Sequence, residues 1–337
     1  MYSKKYRVAL VGCGVISDNH LNALTKNENV EIIALCDINT KKAEEKARQY
    51  SLSSKVYESY DALLECEGNK LDAIHIATPH YLHASQTLKA LERDINVFLE
   101  KPLCISWDEI DALIAAEKIS KAIACVCFQN RFIPATIAAK KLVDEDGGAL
   151  SAWASVFWKR GEDYYKSAEW RGRYATEGGG VMINQAIHTI DLLKHFMGTP
   201  TSVIATTANH HLKETIEVED SCEGVIGFGT DRIANFYATT SAGGPDSIRI
   251  CFNTKFNKIE IVDSCVYLNN SLHYSSERDD NYIGKSCYGN GHFTLINKFY
   301  EAIEKGEESP VPIREAVDAV KIILAAYKSE DKKVILN

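Results

Sequence analysis

The sequence predicts two successive domains: a doubly wound α/β domain with a mostly parallel sheet, then an α+β domain with a largely antiparallel open sheet. Three observations support this: the length of 337 residues, the alternation of apolar strand-like runs with helical patterns in the first third, and the closely spaced strands after Arg131. Such a length accommodates two domains of about 150 residues each. We place the boundary between 1–128 and 129–337 and expect the C-terminal helices to pack back on the first domain.

Strands and helices alternate in the first predicted domain. Its strand-like runs are continuously apolar, which is typical of parallel strands buried on both faces. Strands are predicted at 7–12, 31–37, 55–57, 73–77, 96–99 and 122–128, and helices at 18–27, 41–50, 60–66, 83–92 and 107–118. This order predicts a Rossmann arrangement of about six strands.

The second predicted domain has a different pattern. Short turns join most of its strands, and Gly227–Arg232 has a hairpin-like sequence, which favours antiparallel pairing. Strands are predicted at 152–158, 202–209, 223–228, 232–239, 248–252 and 258–262, and helices at 134–143, 182–196, 293–305 and 313–328.

Composition and charge exclude several classes of protein. The chain is 45% hydrophobic and 25% charged, as is typical of a globular protein. The net charge of −8 is spread along the sequence, and the nearest approach to a basic cluster is Lys140-Lys141, so we expect no nucleic-acid partner. No run of 18 apolar residues occurs, so no membrane span is expected.

The ten cysteines are scattered, several within apolar runs, and we interpret them as reduced structural thiols. Cys125 and Cys127 share one face of a predicted strand, but no second cysteine pair stands nearby to complete a metal site, and we expect no metal. The chain starts with no apolar leader segment before the first strand, so we expect a cytoplasmic protein.

A glycine-rich turn follows the first predicted strand. Residues 12–17 read Gly-Cys-Gly-Val-Ile-Ser between a strand and a helix, the context of a dinucleotide-binding fingerprint. The first glycine permits the tight turn, and the second allows the backbone to approach a pyrophosphate at the helix N-terminus. Ser17 replaces the usual third Gly or Ala and is small enough for close packing. We expect the cofactor to contact Gly12, Gly14, Val15 and Ile16.

The second predicted strand ends in Asp37, 23 residues after Gly14, where the acidic residue that binds an adenosine ribose is expected. Its charge would repel a 2′-phosphate, so NAD is favoured over NADP. Lys41 and Lys42 lie close enough to weaken that preference.

Further motifs occur in the order and spacing of a known family. Thr78-Pro79-x-x-x-His83 follows the fourth predicted strand, and Glu100-Lys101-Pro102 follows the fifth. Later motifs are Asn130-Arg131, Glu177-Gly-Gly-Gly180, Asn184-Gln-Ala-Ile-His188-Thr-Ile-Asp191 and His292-Phe293. With the fingerprint, they resemble the Gfo/Idh/MocA family, named for glucose-fructose oxidoreductase and inositol dehydrogenase, over essentially the whole chain.

The resemblance implies an NAD(P)-dependent oxidoreductase that transfers hydride between nicotinamide and a secondary alcohol or ketone of a sugar, a sugar derivative such as a nucleotide sugar, or a polyol. It implies that Lys101 positions and polarises the reacting oxygen. It also implies that His188 is the acid/base, a role that suits histidine at neutral pH. Glu100 is implied to lie near the nicotinamide ribose or the lysine. The expected cofactor contacts of these motifs are Thr78, Pro79, His83, Glu100 and Lys101.

The expected substrate contacts are Lys101, Arg131, Trp170, Arg171, Asn184 and His188. For Trp170 and Arg171 a salt-bridged loop is the alternative, and for His188 a core histidine bonded to a backbone carbonyl. Asn184 stands where many family members carry an aspartate, a departure that resembles the subset acting on nucleotide sugars and other pyranosides. The other histidines, including His20, His75 and His195, are interpreted as structural.

A non-catalytic dinucleotide sensor of the same fold, like the galactose-regulon corepressor, is the alternative function. The presence of Lys101 and His188 favours the enzyme. We expect the second-domain sheet to leave a face uncovered by helices, which predicts a homodimer or homotetramer.

Overall fold

The computed structural model describes residues 5–275 and 290–336, which form two compact units. The first unit comprises 5–104, 108–129 and 290–316, and the second comprises 105–107, 130–275 and 317–336. The strands are β1 (Tyr6–Val11), β2 (Val30–Cys36), β3 (Lys55–Tyr57), β4 (Ala73–Ile76), β5 (Asn96–Leu99), β6 (Ala124–Val126), β7 (Ser151–Phe157), β8 (Pro200–Ala208), β9 (Ser221–Phe228), β10 (Arg232–Thr239), β11 (Ser247–Asn253), β12 (Lys258–Val262), β13 (Cys265–Leu268), β14 (Ser271–Ser275) and β15 (Val334–Ile335).

The α-helices are α1 (Ser17–Lys26), α2 (Thr40–Gln49), α3 (Tyr60–Glu67), α4 (His83–Leu91), α5 (Trp107–Ile119), α6 (Pro134–Glu145), α7 (Glu162–Lys166), α8 (Tyr174–Glu177), α9 (Ile187–Met197), α10 (Gly291–Lys305) and α11 (Ile313–Ser329). A π-helical turn, Met182–Ala186, leads directly into α9.

The first unit is built on a six-stranded parallel sheet in the order β3-β2-β1-β4-β5-β6. This is the Rossmann strand order, with the switch point between β1 and β4. The central strands are almost entirely buried, which explains their continuous apolar sequences. Helix α10 packs against α1 in this unit. The carboxyl ends of β1, β4 and β5 meet at one edge, where open α/β sheets bind ligands.

The second unit is built on a nine-stranded sheet in the order β14-β13-β12-β11-β7-β10-β9-β8-β15. Among the described strands of this second sheet, only β7 and β10 pair in parallel, so the prediction of a largely antiparallel sheet is confirmed. The predicted hairpin at Gly227–Arg232 joins β9 and β10, which pair antiparallel. Helices α6 and α9 pack against this sheet.

Several short elements escaped prediction. Strand β14 is exposed at four of its five positions, and β15 has only two residues, so neither carries an apolar period. Strand β13 and helices α7 and α8 are also short. The helix expected at 182–196 begins instead as the π turn Met182–Ala186 and continues as α9.

Nine of the ten cysteines lie in the described part of the chain, and all nine are free thiols. Cys287 lies outside the described residues. Among the described helices, none combines the length and apolarity that crossing a membrane requires.

Candidate functional site

The fingerprint turn connects β1 to α1 at the switch point of the parallel sheet. Gly12 has φ +91°, and a Cβ at this position would clash with the carbonyl oxygen of Ala77. Only glycine therefore fits between these two chain segments. A Cβ at Gly14 would have no neighbour within 4 Å, so that side of the turn is accessible to a ligand.

Asp37 is fixed against the fingerprint turn. Its Oδ2 accepts a hydrogen bond from the Cys13 backbone N–H at 2.8 Å, and its Oδ1 accepts one from Asn39 N–H at 2.8 Å. Two large apolar side chains beside it are solvent-exposed, Val15 at 94% and Ile38 at 87%. An oriented carboxylate between bare apolar side chains fits the adenosine end of a dinucleotide, whose ribose hydroxyls donate and whose base covers apolar surface.

His83 holds together the two motifs that follow β4 and β5. Its Nδ1 lies 2.6 Å from the Pro102 carbonyl oxygen, and its Nε2 lies 2.8 Å from that of Thr78. The ring is fully buried, with 0% exposure, so His83 braces these two loops from within the fold. Contact between His83 and the cofactor stays a prediction; Thr78 and Pro79, in the loop that His83 contacts, are partly exposed.

Glu100, at the end of β5, lies in a buried hydrogen-bonded group that we call the Glu100 cluster: His20, His75, Glu100, His292 and Tyr300. The Glu100 Oε1 atom is 3.1 Å from His20 Nε2 and 3.2 Å from His292 Nε2. His20 Nδ1 lies 2.8 Å from His75 Nδ1, and His75 Nε2 lies 2.9 Å from the Tyr300 hydroxyl.

Burial and hydrogen bonds shift the pKa values of several groups in the Glu100 cluster. Burial lowers the pKa of His75 well below its ordinary value and, with Asp72, raises the pKa of Tyr300 well above its own. Burial acts to raise the pKa of Glu100, but hydrogen bonds from His20 and His292 outweigh it and hold that pKa well below its usual range. A neutral His75 has a single N–H, so it can donate to only one of its two partners, the His20 ring and the Tyr300 hydroxyl.

One group in the described residues has metal-ligand character: Glu100, Cys127 and His292, whose ligand atoms lie within 4.8 Å of one another. Burial and the neighbouring Glu100 charge raise the pKa of the Cys127 thiol well above its ordinary value. A protonated thiol is a poor metal ligand. The Glu100–His292 contact is itself a hydrogen bond. The expectation of no metal stays a prediction.

Lys101 follows Glu100 directly, and its side chain is partly exposed. It stands at the carboxyl end of β5, on the sheet edge that also carries Gly12 and Thr78. The first unit therefore presents the fingerprint turn, the anchored Asp37 carboxylate and Lys101 along one edge.

In the second unit, the π turn Met182–Ala186 and α9 carry Asn184 and His188. π-helical turns are rare and occur frequently at functional sites. His188 is 3% exposed, and Asn184 is partly exposed.

Glu219 fixes the start of this helical segment. Its carboxylate accepts hydrogen bonds from Gly180 N–H at 2.8 Å, Met182 N–H at 3.0 Å and the Tyr327 hydroxyl at 2.9 Å. A Cβ at Gly180 would clash with the Glu219 carbonyl oxygen, which explains why a glycine stands there. Burial raises the pKa of Glu219 to about 7, against the lowering effect of the backbone hydrogen bonds. Glu219 was not predicted.

Asn184 joins a second hydrogen-bonded group. Its Nδ2 donates to the Tyr164 hydroxyl at 3.1 Å and to Glu177 Oε1. Arg171 Nη1 donates to the same hydroxyl, and the Arg171 guanidinium lies 4.6 Å from the Trp170 ring centroid. Arg171 forms no ion pair within the described residues, so the alternative of a salt-bridged loop does not hold for this arginine.

Arg131 is occupied by a buried partner. Its Nε and Nη2 donate to the two oxygens of Asp191 at 2.8 and 2.6 Å, and both side chains are almost fully buried. Such a bidentate pair neutralises the arginine within the fold. Contact between Arg131 and a substrate stays a prediction.

Two stretches of the chain match known family descriptions. Residues 6–128 match "Oxidoreductase family, NAD-binding Rossmann fold", and residues 136–256 match "GFO/IDH/MocA C-terminal domain". The chain belongs to the Gfo/Idh/MocA family. The first unit is therefore the family's NAD-binding fold, and the resemblance based on sequence motifs is confirmed.

Individual Gfo/Idh/MocA relatives are distant in sequence. Oxidoreductase P35 of Formosa agariphila is 28% identical over 194 residues, which span 56% of this chain and 60% of that protein, less than two thirds of its length. D-xylose 1-dehydrogenase (NADP(+)) 2 of Haloferax volcanii is 25% identical over 82% of each chain. The WlbA dehydrogenase of Chromobacterium violaceum, solved with NADH and UDP-GlcNAcA, is 26% identical, with a TM-score of 0.86 over 100% of this chain and 97% of that one.

Proposed function

We propose that this chain is an NAD-dependent dehydrogenase or reductase acting on a secondary alcohol or ketone of a sugar, a sugar derivative or a polyol. The observation that carries the proposal is the single sheet edge in the first unit that presents the fingerprint turn, the anchored Asp37 carboxylate and Lys101. The relatives support it, since one is named a D-xylose dehydrogenase and another was solved with NADH and a nucleotide sugar.

In this proposal, different residues of the chain bind different parts of the cofactor. Gly12, Gly14, Val15 and Ile16 hold the pyrophosphate, Asp37 accepts from the adenosine ribose, and Thr78, Pro79 and Glu100 line the nicotinamide end. When bound, NAD supplies the hydride acceptor for alcohol oxidation.

In this proposal the Lys101 ammonium polarises the substrate oxygen, and His188 removes the hydroxyl proton. Asn184, Trp170 and Arg171 orient the substrate. Asp37 favours NAD over NADP because a carboxylate repels a 2′-phosphate. The Haloferax relative is named for NADP(+), so the dissociation constants of both cofactors should be measured.

The test is a substrate-dependent change in absorbance at 340 nm with NAD across a panel of sugars, polyols and nucleotide sugars. On a substrate so identified, Lys101→Met should lower turnover by about two orders of magnitude or more, because one electrostatic group is removed, while cofactor binding persists. Lys121→Met, at an exposed position, is the matched control. Tight NAD binding with no turnover across the panel would favour the sensor, and near-normal turnover in Lys101→Met would remove that residue's role.

We also propose a homodimer or homotetramer. Strands β7, β8 and β10 expose large apolar side chains, each between 37% and 50% exposed: Trp153, Phe157, Ile204, Ile233 and Tyr237. Exposed apolar side chains on several strands of one sheet are typical of an association surface, and native mass spectrometry should find dimers or tetramers. A purely monomeric spectrum would exclude the proposal.

The nine free thiols suit a reducing compartment such as the cytoplasm, which a fluorescent fusion would test.

A further inference from the structure

Five side chains of the second unit form what we call the arginine ladder, in which guanidinium groups alternate with aromatic rings: Trp158, Arg160, Tyr164, Arg171 and Trp170. The Arg160 guanidinium carbon lies 4.5 Å from the Trp158 ring centroid and 5.2 Å from that of Tyr164. The Arg171 guanidinium carbon lies 4.2 Å from the Tyr164 centroid and 4.6 Å from that of Trp170. Two cations therefore contact one tyrosine ring.

The charges of the arginine ladder are unequally compensated. Arg160 pairs with Asp246 at 3.3 Å. For Arg171, no carboxylate of the described residues lies within ion-pair distance. Glu177 is fully buried nearby, but its oxygens accept from Gly172 N–H and Asn184. Bringing two like charges together without a full set of counter-charges costs free energy, which an anion would recover.

Polar atoms around the arginine ladder also lack partners. In the described structure, Arg160 Nη2, Arg171 Nε and Gln185 Oε1 are buried without a hydrogen bond. Each such group costs about 1–3 kcal/mol. Two of the three are guanidinium donors, and the planar fork of an arginine matches the oxygens of a carboxylate or phosphate. Gln185 Oε1 can accept from a hydroxyl.

The arginine ladder is connected to the proposed substrate residues. The Tyr164 hydroxyl accepts from Asn184 Nδ2 at 3.1 Å and from Gln185 Nε2 at 3.4 Å, as well as from Arg171. Asn184 precedes His188 by four residues along the same helical segment. An anion held by Arg171 would thus belong to the molecule that Asn184 orients.

We propose that Arg171, supported by Arg160, binds an oxyanion of the substrate, so that the substrate is an acidic sugar derivative bearing a carboxylate or phosphate. The inference rests on the proposed function, because it assigns a class to that substrate. It predicts that an acidic sugar is preferred to its neutral counterpart, and that Arg171 is responsible for the preference.

The test compares kcat/KM for matched neutral hexoses, their uronates, their phosphates and the UDP-linked forms of each. An anionic form should be the best substrate. Arg171→Gln should lower its kcat/KM roughly 10- to 100-fold, as expected for lost charged hydrogen bonds, and should lower kcat/KM for the matched neutral sugars by a clearly smaller factor. Arg249→Gln, at an exposed arginine of the same unit, is the control. The uronate and phosphate arms distinguish the two kinds of oxyanion.

A preference for neutral sugars, or an equal loss on neutral and anionic substrates in Arg171→Gln, overturns the inference and leaves the proposed function intact. If no sugar is oxidised, the proposed function fails, and the inference is judged by calorimetric titration of the same acidic and neutral sugars into wild type and Arg171→Gln with NADH present. Equal binding by the two proteins overturns it. If Arg171→Gln does not fold, Arg171→Lys, which keeps the charge and loses the fork, should show a smaller loss confined to anionic substrates.

Discussion

The Glu100 cluster is a buried polar network and the arginine ladder is a partly buried one, and the two differ in how many of their polar atoms are hydrogen-bonded. In the Glu100 cluster the carboxylate accepts from two histidines, and both ring nitrogens of His20 and His75 have partners. Around the arginine ladder, three buried polar atoms have no hydrogen bond within the described residues. The two networks of this chain therefore differ in how fully their polar atoms are hydrogen-bonded.

The difference teaches how to assign roles to buried polar groups. A complete network holds each group in one protonation state and one orientation, which suits a side chain that must be ready before the ligand arrives. Glu100 fits this description because its histidines keep it ionised beside Lys101. An incomplete network is destabilising by itself, and such sites persist where function needs them. The arginine ladder fits that second description.

The largest effect is expected at His188, which lies on the helical segment beside the arginine ladder. If His188 is the acid/base, His188→Ala should lower turnover by about 10²–10⁴-fold and remove the acid limb of the pH–rate profile for alcohol oxidation. His195→Ala, on the same helix, is the control. A profile in His188→Ala that matches the wild type would show that the proton goes elsewhere, and Lys101 would then be the next candidate.

The second prediction concerns the complete network. Glu100→Gln keeps the shape of the side chain but removes the charge that accepts from His20 and His292. Urea unfolding should show a loss of about 3 kcal/mol, because two charge-assisted hydrogen bonds are weakened. Glu92→Gln, at an exposed glutamate, should change little. Arg171→Gln should cost less than Glu100→Gln, and the reverse order would contradict the distinction between the two networks.

Local sequence motifs predicted where the proposed cofactor residues lie in the fold. The fingerprint turn, Asp37 and the Glu100-Lys101-Pro102 motif each lie within a few residues of a strand end, so strand prediction also places them in space. The Rossmann strand order followed from the same alternation of strands and helices.

The partners of these motifs could not be predicted from local sequence, because they come from distant parts of the chain. Glu100 bonds to residues 80 and 192 positions away, and Tyr300 bonds to His75 across 225 positions. One signal was available: a histidine inside the apolar strand Ala73–Ile76 must find buried partners. For the arginine ladder, the sequence indicated only the Trp170-Arg171 pair, because cation–π contacts depend on tertiary packing and not on sequence spacing.

The last prediction concerns Glu219, which sharpens the comparison between carboxylates. Like Glu100 it is buried and hydrogen-bonded, but its donors are two backbone N–H groups and a tyrosine hydroxyl. These neutral donors do not offset burial, which raises the pKa of Glu219 to about 7, whereas histidine donors hold that of Glu100 low. The folded state therefore binds the Glu219 proton more tightly than the unfolded chain, where the pKa of glutamate is about 4.3.

This raised pKa stabilises the fold below about pH 4.3, and the stabilisation is lost as pH rises towards 7. Glu219→Gln mimics the protonated form and removes the dependence. The difference in unfolding free energy between wild type and Glu219→Gln should therefore move against the wild type by at most about 1.4 kcal/mol per pH unit in that window and flatten above it. Urea titrations at several pH values, with Glu223→Gln as an exposed control, measure it. A difference that is independent of pH, or that favours the wild type as pH rises, would show that Glu219 is ionised throughout and that its hydrogen bonds outweigh burial, as those of Glu100 do.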